Sequence, residues 1–393
     1  MQVSDLVRYP SAAYIFSNEI VFRGHPDKVC DQISDAILDV YLARDRFSRC
    51  AIEVVGGKQT IFITGEVTST AKGEIDHQGI ALRVMRDIGY RNYSSYNVID
   101  NIGSQSPDIA KGTNEEVGGA GDQGMMFGYA CNDTGKFLPT AQCILQDLAD
   151  AYDDHVAYGL PDGTKGYLPD GKAQITGLYD KKGKLLRIKT FVISFQNKVV
   201  SKEHYDSLVS HLTDTALDIC SEYGQKVDKF IINNTGTFEI GGFEGDAGLT
   251  GRKIIVDTYQ GFARHGGGAF SGKDPSKVDR SGAYMARYIA RSIVASGCAE
   301  KCEVQLSYVI GSKEPLGVYV NTFETGKLDD RDLASFIKTN NDLTPQGIRK
   351  TLGLLDTLYE PLARFGHFGH ETLWEKENTL TNLLKGYLKS TTT

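Results

Sequence analysis

The sequence of 393 residues has no run approaching 18 consecutive apolar residues, which excludes an ordinary membrane-spanning helix. Its start, MQVSDLVRYPSAAYIF, lacks the charged region and uninterrupted apolar stretch of a secretory leader. Positive charge is not in excess. The formal net charge of −7 argues against a surface built for nucleic acid or anionic lipid, though a local basic site is compatible with it. Cysteine is sparse, odd in number at seven, and scattered. Only Cys298 and Cys302 stand close, at a spacing that would share one helical face. With no second pair and no nearby histidine, they outline neither a disulfide framework nor a zinc site. The chain reads as cytoplasmic, with reduced, mostly buried thiols. Linkers, low-complexity tracts and exact repeats are missing, and no serine or cysteine shows a paired base that would make it a nucleophile.

What is present is an ordinary globular balance, 40% apolar and 24% charged, with length for two or three domains. AIEVVGG and QTIFITGEVTS predict paired strands around a turn at Gly56 and Gly57. DHQGIALRVMRDIGY predicts a helix, with Ile80, Val84 and Ile88 four apart. TAQCILQDLADAYDDHVAYG and EHYDSLVSHLTDTALDICSEYG predict two more, and the segment between them a hairpin with a Lys/Gly turn. GRKIIVDTY reads as a strand, RSGAYMARYIARSIVASG as a helix, and CEVQLSYVIG and LGVYVNTF as late strands. Strands grouped with helices favour α+β layers over a doubly wound sheet. The glycine-dense stretch from Gly103 to Gly128 is the longest predicted loop.

Four stretches carry chemistry. In GHPDKVCDQISDAILDVYL, Val29, Ile33, Ile37 and Val40 predict a buried stripe, and Asp31, Asp35 and Asp39 read as a solvated face. Pro26 suits a first helical turn, so His25, Asp27 and Lys28 gather at a helix N-terminus. Two readings stay open there: Asp27 as a cap beside a surface His25, or an anion site. In GGAGDQGMMFGYA, glycines frame Asp122 and Gln123, for a ligand's approach or for packing. In GDAGLTGRKIIVD, Arg252 and Lys253 would point to opposite faces of a regular strand, just after Asp246. RHGGGAFSGKDPSKVDRSG nearly spells a nucleotide-triphosphate loop, but Asp274 stands where a Mg²⁺-ligating hydroxyl belongs. Its Lys273, Lys277 and Asp279 would suit a polyphosphate with Mg²⁺. A P-loop phosphotransferase is disfavoured by Asp274 and by the lack of a Walker-B pattern.

These stretches, with QSPDIA, TGEVTS and GHFGHETLWEK, occur in an order that resembles the methionine adenosyltransferase (S-adenosylmethionine synthetase) family over almost the whole chain. The resemblance implies three similar α+β domains interleaved in sequence, at about 14–112, 116–241 and 243–385. It implies a homodimer or a dimer of dimers with active sites shared across the interface, and no nucleic-acid or membrane partner. The implied reaction joins the sulfur of L-methionine to C5′ of ATP, releases tripolyphosphate and then cleaves it to pyrophosphate and phosphate. By motif position, His25, Lys172, Arg252, Lys253, Lys273 and Asp279 are the implied catalytic residues. Asp122, Asp170, Gly171, Phe238, Asp246 and Ala269 join them around ATP. Glu66, Gln105, Asp246, Lys277 and Ile310 form the methionine side. Asp27 and Asp279 would hold two Mg²⁺ ions, and Glu53 would help hold K⁺. The segment from Gln105 to Gly121 matches the family's gate. Three departures stand out: Arg23 where the family has Glu, and Leu168 and Thr237 where it has Arg. None removes a residue given a role, which disfavours a catalytically silent regulatory subunit.

Overall fold

The computed structural model describes residues 13–104, 118–160 and 163–392, and within them eleven strands form three sheets. The first sheet takes β2 (Arg49–Gly57), β3 (Thr60–Thr68), β4 (Asn97–Gly103) and the two-residue β9 (Gly248–Leu249), in the order β4-β3-β2-β9. Helices α1 (Pro26–Arg44) and α2 (His77–Ile88) cover one of its faces. The second sheet runs β1-β6-β7-β8, from β1 (Tyr14–Val21), β6 (Tyr167–Tyr179), β7 (Leu185–Asn197) and β8 (Phe230–Ile232). It is backed by α3 (Thr140–Tyr158) and α4 (Lys202–Glu222). The third sheet, β11-β10-β5, uses β5 (Gly124–Cys131), β10 (Lys301–Tyr308) and β11 (Gly317–Asn321) against the helix of Val278–Ala295. Numbering the single turn at Gly242–Gly245 as α5, that long helix is α6.

Each sheet thus borrows from a distant stretch of chain. Strand β1 joins the sheet of β6, β5 joins that of β10, and β9 joins that of β2. One apolar core lies behind the first and third sheets together and a second behind the middle one. Alternation sets the faces in β2 and β3. Cys50, Ile52 and Val54, with Ile61, Ile63 and Val67, are buried against the helices, while Glu53 and Glu66 point from the opposite face.

Three local expectations are corrected. The β2–β3 turn is made by Lys58 and Gln59, both at positive φ (47° and 62°), as a tight hairpin requires. Gly56 and Gly57 stay in β2, and a Cβ on Gly56 would stand 2.2 Å from the Phe243 ring. The glycine-rich loop ends before Gly124. From there to Cys131 the chain is strand, and Gly128 is glycine because a Cβ would meet the α6 backbone at Ala286, 2.0 Å away. Cys298 and Cys302 share no helical face: α6 ends at Ala295, and Cys302 lies in β10. All seven cysteines are unbridged and buried.

Candidate active site

The N-terminus of α1 lies under a tight turn at Phe22–His25. A Cβ on Gly24 would stand 2.4 Å from Pro169. The Gly24 N–H donates to the Pro169 carbonyl (3.1 Å), and its own carbonyl accepts from the Tyr90 hydroxyl (2.9 Å). His25, not Asp27, caps the helix: Pro26 takes the first helical position, and His25 Nδ1 accepts the Asp27 N–H (3.2 Å). That bond leaves the proton of the neutral ring on Nε2. His25 is no surface residue either, being 8% exposed. Burial first, then the Lys253 cation, pulls its pKa down to about 3, so the imidazole is neutral at physiological pH.

Asp27 is fully buried. Its Oδ1 accepts the Leu249 N–H (3.0 Å) and lies 3.2 Å from Arg252 Nε, while Oδ2 pairs with Lys253 Nζ. Arg252 and Lys253 therefore converge on one carboxylate instead of pointing to opposite faces of a strand. The cause is that strand pairing stops at Leu249. The chain then coils through turns in which Asp257 N–H donates to Lys253 (2.9 Å) and Gln260 N–H to Ile255 (2.9 Å).

The acidic row of α1 is not a solvated face. Asp31 and Asp35 are fully buried. Asp31 accepts from Lys28 Nζ (2.9 Å) and from the Gly251 N–H (2.8 Å). Lys28 also donates to Asp257 (2.5 Å), and these two carboxylates hold its pKa up against burial. Asp35 takes both its oxygens to Arg280 (2.8 and 2.6 Å) and accepts the Gly272 N–H (2.8 Å). Asp39 accepts the N–H groups of Tyr359 and Glu360. Successive helical turns thus hold successive glycine loops, since buried carboxylates and loop N–H groups each need the other. The four-residue spacing was legible in the sequence; the loop N–H groups it holds, 220 to 320 residues away, were not.

The Gly272 loop is held from two sides. Gly272 has φ +79°, and a Cβ there would stand 2.0 Å from the Ile52 carbonyl. Lys273 Nζ donates to Asp279 (2.5 Å), and the Lys273 carbonyl accepts from Arg280 (3.1 Å). Asp274 is 2% exposed and stitches this loop to β2. It accepts the Cys50 N–H (2.8 Å), the Ser276 N–H (2.9 Å) and Lys277 Nζ (2.6 Å).

Two clusters result. Around α1's first turn stand His25, Asp27, Arg252 and Lys253, with Lys172 and Asp246 near enough to act on His25 electrostatically. Asp170 joins them through the Gly242 N–H (2.7 Å), and Phe238 packs beside Gly241 next to it. Burial lifts the Asp170 pKa to about 6, opposed by that N–H. Gly171 leaves no room for a side chain between Phe22 and the Ser194 carbonyl. The second cluster holds Lys273, Asp279 and Lys277, with Glu53 and Glu66 on the open face of the adjoining sheet. Desolvation raises the Glu53 pKa, and Lys273 opposes it. Ala269 bridges the clusters against Gly251, 2.7 Å from where a Cβ would be. Asp122, whose carboxylate accepts the Gln123 N–H, precedes Gly124, where a Cβ would stand 3.7 Å from Asp279 Oδ1; Ile310 is 54% exposed, beside Gly311, whose N–H donates to the Ala120 carbonyl (2.8 Å). Gln105 and most of the expected gate lie outside the described residues.

Among the described residues no three histidine, cysteine, aspartate or glutamate side chains converge as a preformed metal cage. Asp27 is balanced by Arg252 and Lys253, and Asp279 by Lys273. Such a donor set fits Mg²⁺ held mainly by phosphate oxygens and water. Of the departures, Arg23 is buried in an ion pair with Asp153, Leu168 lines a 230 Å³ hollow with Tyr90, Pro169 and Ile240, and Thr237 is exposed.

Three sheets packed on helices, glycine loops pinned by buried aspartates, and paired cations with no nucleophile beside them among the described residues define an α+β group-transfer enzyme. Models of the S-adenosylmethionine synthetase N-terminal, central and C-terminal domains match residues 13–107, 117–238 and 240–376. The S-adenosylmethionine synthase of Trichormus variabilis is 43% identical, covering 93% of this chain and 95% of its own length. That of Helicobacter pylori strain J99 is 44% identical, covering 96% and 99%. The chain belongs to the S-adenosylmethionine synthetase family.

Proposed function

We infer that this chain makes S-adenosylmethionine from ATP and L-methionine, as a transferase, and then hydrolyses the tripolyphosphate it releases. The methionine sulfur attacks C5′ of ATP; the S–C5′ bond forms, the C5′–O5′ bond breaks, and the electron pair leaves on tripolyphosphate. Water then splits that chain into pyrophosphate and phosphate. The observation that carries the reading is the neutral His25, its Nε2–H available for a bond, set among Lys172, Arg252 and Lys253 with no nucleophile beside it.

An attack by sulfur on carbon needs alignment and stabilisation of the departing charge, not a covalent enzyme intermediate. His25 Nε2–H donates to the bridging oxygen as charge develops on it. Lys172, Arg252, Lys253 and Lys273 grip the triphosphate. Asp122, Asp170, Gly171, Phe238, Asp246 and Ala269 surround the nucleoside. Glu66, Gln105, Asp246, Lys277 and Ile310 hold methionine, a carboxylate to its ammonium and a lysine to its carboxylate. Asp27 and Asp279 would hold two Mg²⁺ ions and Glu53 would help hold K⁺; bound, such ions would neutralise phosphate charge. Lys253 and Lys273, paired with Asp27 and Asp279 here, would turn to phosphate oxygens when substrate binds, which would free both carboxylates.

The active unit is a homodimer, alone or paired into a tetramer, with sites shared between subunits. Asp27 and Asp35 stand eight positions apart on α1, about 12 Å along the helix, and the Lys273 cluster is carried on the loop that Asp35 holds. The seven unbridged thiols agree with a cytoplasmic enzyme. Incubating the purified chain with ATP, methionine, Mg²⁺ and K⁺ tests the reading. S-adenosylmethionine with equal pyrophosphate and phosphate is expected; ADP, or no product, would overturn it.

A further inference from the structure

Arg23 lies two residues before His25, is 8% exposed, and sits where three parts of the chain meet. Its Nε donates to Gln32 Oε1 (2.9 Å), and its NH1 donates both to the Asp87 carbonyl at the end of α2 (3.2 Å) and to Asp153 Oδ2 on α3 (3.2 Å). Gln32, fully buried, donates back through Nε2 to the Arg23 carbonyl (2.9 Å) and to the Lys28 carbonyl (2.8 Å). Residue 23 is therefore gripped at both ends, side chain and backbone, by one glutamine on the second turn of α1. Its neighbour Gly24 is clamped between Pro169 and Tyr90, and His25 N–H donates to the Phe22 carbonyl (3.0 Å). Burial disfavours the Arg23 cation; Asp153 favours it, and Arg364 opposes it.

We propose that Arg23, with Asp153 as its counter-ion, is the positioning residue that sets the Phe22–His25 turn and thereby aims His25 Nε2 at the leaving oxygen. This rests on the role given to His25 above. A charge at residue 23 must be matched at residue 153, because a buried cation without its partner costs several kcal/mol and the turn would shift to reach solvent. The displacement is felt at His25, which is the last residue of the turn and caps α1 through Nδ1. Of the phosphate-gripping cations, Arg252, Lys253 and Lys273 come from segments far along the chain, and Lys172 is held in β6 by its ladder with β1 and not by Arg23.

The experiment uses the full-length chain with Arg23→Glu, Asp153→Arg and the double exchange, plus Arg23→Lys and Asp153→Asn as milder changes that keep the fold. S-adenosylmethionine formation is measured as kcat and as KM for ATP; hydrolysis of added inorganic tripolyphosphate, which breaks no C5′–O bond, is measured beside it. The expected result is a tenfold or greater fall in kcat for each single charge change, with KM and tripolyphosphate hydrolysis within about twofold of wild type. The double exchange recovers most of that loss, and the milder variants show the same split at smaller size. Unchanged kcat, a parallel fall of both activities in the milder variants, or no recovery in the double exchange would overturn the proposal. An inactive wild-type chain would instead overturn the reading of His25 itself.

Discussion

At the scale of single residues, charge is spent in pairs, and each pair predicts a distinct outcome. Lys273 is partly exposed and tied only to Asp279 and the loop, so Lys273→Ala removes a phosphate contact and no core packing. Turnover should fall by about two to three orders of magnitude, the usual cost of one transition-state donor. The melting temperature should stay near that of wild type; turnover unchanged beside a lowered melting temperature would reverse the assignment. His25 behaves differently. Its folded pKa of about 3 lies below the ordinary 6.5, so the folded state resists its protonation. The stability it contributes is complete above pH 6.5 and is lost as pH falls towards 3. Nitrogen NMR of histidine-labelled protein should show a neutral ring protonated at Nε2 from pH 8 down to 5, identified by its loss in His25→Asn. A ring titrating near pH 6.5 would contradict the buried N-cap. Glu53→Ala should weaken activation by K⁺ in a KCl titration of turnover, and an unaltered K⁺ response would remove Glu53 from that site.

At the scale of elements, the sequence was readable wherever periodicity decides and misleading wherever a distant partner does. Helices α1, α2, α3, α4 and α6 follow from their apolar spacing, and the β6–β7 hairpin from its turn. The acidic stripe of α1 obeys the same periodicity as a solvated face, yet Asp35 meets Arg280 and Gly272 across the core. Nothing local separates the two cases. GRKIIVDTY likewise has strand composition, but pairing stops at Leu249 and its N–H groups serve turns, which bring Arg252 and Lys253 together on Asp27. The near-match to a triphosphate loop resolves in the same way: Asp274 is a peg into β2, not a failed metal ligand. Two substitutions measure these couplings. Asp35→Asn leaves buried Arg280 without its counter-charge and should cost about 3–5 kcal/mol, read as a lower urea midpoint. Gly272→Ala sets a Cβ against the Ile52 carbonyl at positive φ, and should lower both stability and turnover, because Lys273 is the next residue.

At the scale of the whole molecule, helices cover one face of the first sheet, and its opposite face carries, among the described residues, an exposed apolar row. Val55 pairs with Phe62, and Phe62 with Ile99, across three strands; Val55 is 41% and Ile99 44% exposed. Parallel to that row run Glu53 with Thr64, and Ala51 with Glu66. A second copy seated on the row would bury it and bring its own first-turn cluster of α1 towards these carboxylates. The two clusters would then close between chains, as a two-fold pairing allows. Association and catalysis should accordingly fail together. Ile99→Arg places a cation in the row without touching any residue assigned a chemical role. In solution, light scattering should show the mass dropping from twice that of the chain, or four times, to that of a single chain. Activity should fall with it and return at high protein concentration, where the pairing is restored by mass action. A monomeric variant with full activity would mean that one chain holds a complete site. A dimeric variant with full activity would place the shared interface on another face.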